Sequence, residues 1–162
     1  MKLENDDIKE KIELLDGEKM LFIGEPTDFI AYEPIAFAAP FILMYIAYNY
    51  YSSSRIFALG IFIAAVGMLL AYYLIFKSTR YVITDRRIIV YISIINRMRG
   101  MPLRAVENVG MKMGILNKNV RTLILKDNKE HEIQIRAVRQ WKEIAELIYK
   151  TKYGNDVIVN FQ

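Results

Sequence analysis

The sequence predicts a membrane α-helical hairpin of two spanning helices joined to a small α+β domain, an antiparallel β-sandwich or barrel closed by a C-terminal helix. Three observations predict it. Two long uncharged runs lie four residues apart, period-two alternation begins directly after the second run, and one amphipathic helical stretch stands near the end.

Of the 162 residues, 54% are apolar and 25% are charged, so the apolar excess must be concentrated rather than spread. It lies in residues 34–51 (PIAFAAPFILMYIAYNYY) and 56–76 (IFALGIFIAAVGMLLAYYLIF), neither of which holds a charge. As helices these runs reach about 27 and about 32 Å, against a hydrocarbon core of about 30 Å. The link 52–55 has room only to reverse the chain, which makes the two helices antiparallel neighbours. Gly60, Ala64, Gly67 and Ala71 share one face of the second helix, where small side chains let backbones approach closely. That face is expected to meet Ala36, Ala39, Leu43 and Ala47 of the first helix, with Pro40 bending it modestly. Tyrosines gather at both ends of the pair, as amphipathic rings do at headgroup level. No ionisable group lies within either run, which argues against a transporter or intramembrane enzyme built from one copy. The first run follows an acidic segment and lacks a basic lead and a small-residue cleavage site, so it reads as retained.

Charge divides the chain. Residues 1–33 carry 4 basic and 10 acidic side chains, whereas residues 77–162 carry 17 basic and 8 acidic. The expected organisation is an acidic cytoplasmic segment (1–33), the hairpin (34–76), a β-rich domain (77–152) and a tail (153–162). Lys77, Arg80, Arg86 and Arg87 follow the second run, against Arg55 alone at the tip. The positive-inside rule then sets both termini in the cytoplasm of a multi-pass plasma-membrane protein. The same four residues are candidate contacts for anionic lipid headgroups, at about 1 kcal/mol each. They serve equally as a topology signal and, with Asp85, as an ordinary turn. Arg97, Arg99, Arg104, Lys112, Lys118 and Arg121 continue the basic character. Without interleaved aromatics or a groove-reading helix they read as a solvated face, not a nucleic-acid surface.

Residues 81–84 and 88–95 are β-branched and aromatic and flank Thr84-Asp85-Arg86-Arg87, a tight-turn signal. The second of these strands is apolar on successive residues (IIVYISII), so it is expected to be covered on both faces or to lean on the bilayer. Further strands are expected at 97–103, 106–113, 120–126 and 131–135. A helix follows at 137–149, with Trp141, Ile144, Ala145 and Ile148 on one stripe. Near the start, residues 6–15 read as a short acidic helix ended by Gly17, suited to docking on the basic domain or on a basic partner.

There is no Cys, and His131 alone cannot complete a zinc site. No nucleophile–base pair, ligand cluster or carboxylate dyad is legible. The reading is therefore a non-enzyme with no catalytic residues, no metal and no cofactor.

The run TRYVITDRRIIVYISIINRMRGMPLRAVENVGMKMGIL resembles the prokaryotic membrane-anchored pleckstrin-homology-like (PH) domain family. The shared pattern is Leu15-Asp16-Gly17-Glu18, paired spans, Tyr81-Val82-Ile83-Thr84-Asp85-Arg86-Arg87-Ile88, then Met101-Pro102-Leu103 and Val106-Glu107-Asn108-Val109. The resemblance covers roughly residues 15–150. It implies a seven-stranded bent sheet capped by a C-terminal helix, and membrane localisation, without implying an activity. In eukaryotic PH domains the first inter-strand loop often binds phosphoinositides through basic residues, but the longer Lys-x(n)-Arg-x-Arg pattern is missing from this sequence. Six strands are legible after the second run; residues 19–23 (KMLFI) or the tail 156–161 are expected to supply the seventh.

The functional expectation is a membrane-anchored PH-like module serving as a protein-interaction scaffold or accessory subunit at the cytoplasmic membrane surface. Its expected partners are membrane lipids and another membrane or cytoplasmic protein, or a second copy in a homo-oligomer. Alternatives are an anionic-lipid headgroup sensor and an oligomeric channel or transport component.

Overall fold

Among the described residues seven strands form two antiparallel sheets, and a helical hairpin is spliced between the first two strands. The structure, a computed structural model, describes residues 12, 14–113, 117 and 119–154. The acidic stretch read as a helix at 6–15 falls mostly outside the described residues, and the tail 156–161 falls wholly outside them.

One sheet has the order β1 (Met20–Gly24), β2 (Thr79–Thr84), β3 (Arg87–Ile92), β4 (Arg97–Pro102). The other has the order β5 (Val106–Met113), β6 (Arg121–Asp127), β7 (Glu132–Val138). Between β1 and β2 come a single-turn helix α1 (Phe29–Tyr32) and the long helices α2 (Pro34–Tyr50) and α3 (Arg55–Ser78). Helix α4 (Trp141–Tyr153) follows β7. The main core lies between the sheets. Tyr81, Ile83, Ile88 and Met101 face Leu123, Leu125 and Ile135, and Ile144, Ala145 and Ile148 of α4 close the end. Each of these isoleucines or leucines truncated to Ala would cost about 3 kcal/mol through lost transfer energy and cavity formation.

β3 explains its continuous apolar run. Ile88 points into the sandwich, while its neighbour Ile89 points to the other face and packs with Val82, Tyr91 and Ile12; both isoleucines are fully buried. The apolar run nevertheless outlasts the strand, because a 3₁₀ turn takes over at Ser93–Ile95 and ends at Asn96 in the left-handed region (φ 45°).

The additional strand of the first sheet comes from the N-terminal side. β1 pairs antiparallel with β2, from Met20 opposite Thr84 to Gly24 opposite Tyr81. Its entry is fixed by an ion pair, in which Arg87 donates Nε and Nη2 to the two carboxylate oxygens of Glu18, each at 3.0 Å. The Thr84 hydroxyl (2.5 Å) and the Leu15 amide (2.8 Å) also donate to this carboxylate. The Lys19 amide donates to Asp85 Oδ1 at 2.9 Å. Thr84 Oγ1 accepts from the Arg87 amide at 2.9 Å, which shapes the β2–β3 turn.

Three features depart from the sequence reading. The last strand runs on to Val138, and the helix expected at 137–149 lies at Trp141–Tyr153. Ala137, buried and at φ 54°, turns the chain there, and Gly154 at φ 94° ends the helix. α2 has 17 residues, one fewer than the expected run, while α3 has 24 and takes in Arg55, Lys77 and Ser78. Among the described helices, α3 alone is long and apolar enough to cross a membrane; α2 is a shorter apolar helix. The third departure concerns packing. Gly60, Ala64, Gly67 and Ala71 are all exposed, and a Cβ added at Gly60 or Gly67 would meet nothing within 4 Å. The buried line on α3 is Ala58, Ala65 and Tyr72 instead, roughly 140° around the helix at 100° per residue. On α2 the buried and half-buried positions do include Ala36, Ala39, Leu43 and Ala47, with Pro40 beside them. The rotation of α3 is set at its foot, where Tyr72 turns inward to hydrogen bond the Phe29 carbonyl and the Glu33 amide.

Burial alone would raise the Glu18 carboxyl, but the hydrogen bonds from Arg87, Thr84 and Leu15 outweigh it and hold the group below its ordinary 4.5. A depressed carboxylate adds stability above its ordinary pKa and loses it as pH falls through the lowered value. Glu18→Gln should destabilise the folded chain at neutral pH by about 2 kcal/mol, toward the low end for a broken buried pair because Arg87 still reaches water. Thermal unfolding followed by circular dichroism from pH 7 to pH 3 should show the gap between wild type and variant closing below pH 4.5.

Candidate functional site

The region where the hairpin meets the sandwich gathers most of the polar chemistry. α1 is capped by Asp28, whose Oδ1 accepts from the Ile30 and Ala31 amides at 3.1 and 2.9 Å. The other oxygen of Asp28 accepts from Asn117 Nδ2 at 3.0 Å. Thr27 donates both its amide and its hydroxyl to the Ala137 carbonyl, so α1 is moored to the end of β7. Tyr72 donates to the Phe29 carbonyl at 2.6 Å and accepts from the Glu33 amide at 3.0 Å. Thr79 spends its hydroxyl proton on the Ile75 carbonyl, which leaves Tyr32 as the donor in the 3.0 Å contact between the two hydroxyls. Around these bonds Phe29 packs on Phe37, Tyr72 and Phe76 with ring centroids 4.6–5.6 Å apart. The hydroxyls of Thr27, Tyr32, Tyr72 and Thr79 thus each meet an acceptor within the junction or on the sandwich.

The four basic residues singled out in the sequence are not brought together. Lys77 is exposed in the last turn of α3, a position the helix dipole favours. Arg80 pairs with Glu25 at 3.4 Å and donates to the Lys77 carbonyl at 2.7 Å, tying the ends of the insertion. Arg86 and Arg87 stand at the opposite end of β2, about 20 Å away at strand rise, and Arg87 is committed to Glu18. His131 lies in the β6–β7 turn, where its Nδ1 is 3.0 Å from Asp127 Oδ2. Among the described residues no group of three His, Asp or Glu side chains is placed to hold a metal ion.

Beside the junction the two sheets part and leave a cleft of about 400 Å³. Its floor is Tyr81, Val90 and Ile92 on the inner face of the first sheet; β7 forms one wall. Arg97 and Arg99 line it from β4, where they pair with Ile92 and Val90 and share a face with Met101. Met101 is buried in the core, whereas Arg97 and Arg99 lie on the same face where the sheets have parted and are exposed. Arg136 contributes from β7. Its guanidinium lies 5.9 Å from the Tyr32 ring, pairs with Glu33 and donates Nε to Gln134 Oε1 at 2.8 Å. Tyr81 reaches across the interior to hold this strand, accepting from the Arg136 amide and donating to its carbonyl, both at 3.0 Å. Burial holds the Tyr81 hydroxyl well above its ordinary pKa, so it stays protonated and able to donate. The one carboxylate in the lining, Glu132, is within 3.7 Å of Lys126.

The sequence reading placed Arg97 and Arg99 on a solvated face. The alternation Arg97, Arg99, Met101 carried the missed signal, because two cations in phase with a core residue must line the interior wherever the sandwich stays open.

Comparison with curated proteins gives no match, and comparison with solved structures gives none. The Bacterial PH domain family matches residues 35–152, from the start of α2 to the end of α4. That span contains six of the seven strands and the C-terminal helix, and it starts after β1. With two antiparallel sheets closed by a helix after the last strand, and with most of its length matched, the chain belongs to the bacterial PH domain family.

Proposed function

We propose that this protein is a non-enzymatic, membrane-anchored PH-like module, with α2 and α3 both crossing the plasma membrane and both termini in the cytoplasm. The sandwich is then held at the inner membrane surface as an interaction scaffold or accessory subunit. The observation that carries this reading is the bare apolar sleeve of the hairpin. Ile35 is 81% and Ile56 87% exposed, and Ile42, Leu59 and Ile63 are also uncovered. Left in water, such a surface costs about 25 cal/mol per Å², and lipid tails would remove that cost. α3 is about 36 Å long and α2 about 26 Å, so α2 spans with help from the tyrosines and Arg55 at the tip. Lys77 at the foot suits the inner leaflet. Anchoring confines the module to a surface and raises its effective concentration there, so weak contacts with a partner suffice.

A second copy of the chain is the partner with a specific observation in its favour. The stripe Gly60, Ala64, Gly67, Ala71 is exposed and open, and small residues so spaced support close helix contact in lipid.

Two measurements test these readings. The chain has no Cys, so single introduced cysteines report cleanly. An impermeant maleimide on intact cells should label Ser53→Cys at the hairpin tip, and should label Arg104→Cys in the sandwich only after lysis. Labelling of Arg104→Cys from outside, or a full chain that remains in the supernatant after membranes are sedimented, would refute the anchored topology. For self-association, Gly67→Leu should shift the detergent-solubilised protein from oligomer to monomer in cross-linking, because the added side chain enters open space and leaves the α2–α3 packing intact. A wild type that is already monomeric removes the second copy.

A further inference from the structure

We propose that the furrow between α2 and α3 at the hairpin tip is a binding site for one acyl chain of an anionic phospholipid, with Arg55 holding the phosphate at its mouth. On the anchored reading the lipid comes from the outer leaflet, and only that choice of leaflet rests on it.

The furrow follows from side-chain size. Ala47 of α2 and Ala58 of α3 are buried, at 5% and 3% exposure, in a hairpin whose surface is otherwise largely bare. Small residues let the two backbones run close there. Their neighbours are large and stay uncovered, with Tyr48 80%, Leu59 58% and Phe62 48% exposed. A small floor between large rims leaves an apolar hollow of about 440 Å³, a volume sufficient for a bound chain. Met44 and Phe62 lie toward its deep end, and Tyr51 and Arg55 stand at its mouth.

The single charge in the lining identifies the occupant. Arg55 opens α3, where the helix dipole opposes a cation, and it stands on the side of the hairpin that the positive-inside rule leaves poor in cations. Neither rule explains it. Its guanidinium rests 5.8 Å from the centre of the Tyr51 ring, and among the described residues it has no ion-pair or hydrogen-bond partner. No Asp or Glu occurs in residues 34–76, so neither this hairpin nor the hairpin of a second copy beside it offers a carboxylate. The occupant must bring an apolar chain and an anion in one molecule. An anionic phospholipid does so, because its chain fills the furrow while the planar fork of Arg55 takes two phosphate oxygens. The site shares no residue with the basic group at the foot of the hairpin.

The test uses the full-length protein in detergent, with native mass spectrometry following retention of added phosphatidylglycerol against phosphatidylcholine. Arg55→Gln removes the charge, and Lys77→Gln at the foot is its charge-matched control. Tyr48→Ala/Phe62→Ala removes the rims, and Ile42→Ala/Ile63→Ala, equally exposed but outside the furrow, is the control for general loss of apolar surface. All these side chains are exposed, so truncation leaves the α2–α3 packing intact. The expected result is preferential retention of phosphatidylglycerol, weakened about tenfold in Arg55→Gln and in the rim variant and unchanged in both controls. Equal loss in Arg55→Gln and Lys77→Gln would mean general charge attraction. Equal loss in the rim and sleeve variants would mean an unspecific lipid coat, and no loss in either furrow variant would mean no site. A lipid-free dimer that Tyr48→Ala/Phe62→Ala dissociates would give the furrow to a second copy. Any of these four results overturns the proposal. Retention in detergent does not depend on which side of the membrane the tip faces, whereas maleimide labelling of Ser53→Cys does, so failure of the anchored topology and failure of the furrow are read separately.

Discussion

Four registered pairs between β1 and β2 join segments that are separated by residues 25–78, and this pairing sets the geometry of everything attached to them. Adjacent strands stand about 4.8 Å apart, so a helical excursion that leaves from Gly24 must return beside its own point of departure. Two long helices packed side by side meet that requirement, where a flexible loop of the same length would carry a large closure entropy. The junction residues then remove the remaining freedom. Tyr72 and Tyr32 bind the feet of the helices to each other, and Thr27 binds them to the second sheet. Strand pairing, helix packing and the approach of the two sheets are thus one coupled arrangement.

The two charged constellations of the sandwich are solved differently. Glu18 is buried, and every oxygen lone pair facing protein has a donor, so the ion pair with Arg87 works as a clasp on the entry to β1. The arginines of β4 stand where the sheets part, so solvent reaches them although they share a face with the core.

Much of the fold was legible because local rules and tertiary structure agree. The turn Thr84-Asp85-Arg86-Arg87 joins β2 to β3, and the doubly apolar run of β3 is buried on both faces. The expected face of α2 is the one that packs. On α3 the expectation failed, because small residues mark a surface that permits close contact without naming the neighbour; buried hydrogen bonds of Tyr72 chose the rotation. The start of α4 was misread because Ala137, a strong helix former, finishes a strand together with Val138, a case of tertiary pairing overriding local preference. As for the site, Lys77 and Arg80 do lie at the foot of the hairpin, while Arg86 and Arg87 do not. Strand direction decided that outcome, since β2 carries the chain away from α3 before the turn is reached. Arg136 could not have been found from sequence, for its role depends on β7 crossing to face β4.

The splice between β1 and β2 also bears on any attempt to dissect the protein. A cut at the end of α3 releases a piece that contains the second sheet, three strands of the first and the closing helix, yet it strips the outer edge of β2 of its four partners and bares Val82 and Ile89 to water. Unpaired amides beside an apolar surface are a template for adding strands from other molecules. The soluble-looking part of this chain is therefore prone to stick to itself once it is freed, and its good behaviour belongs to the intact polypeptide.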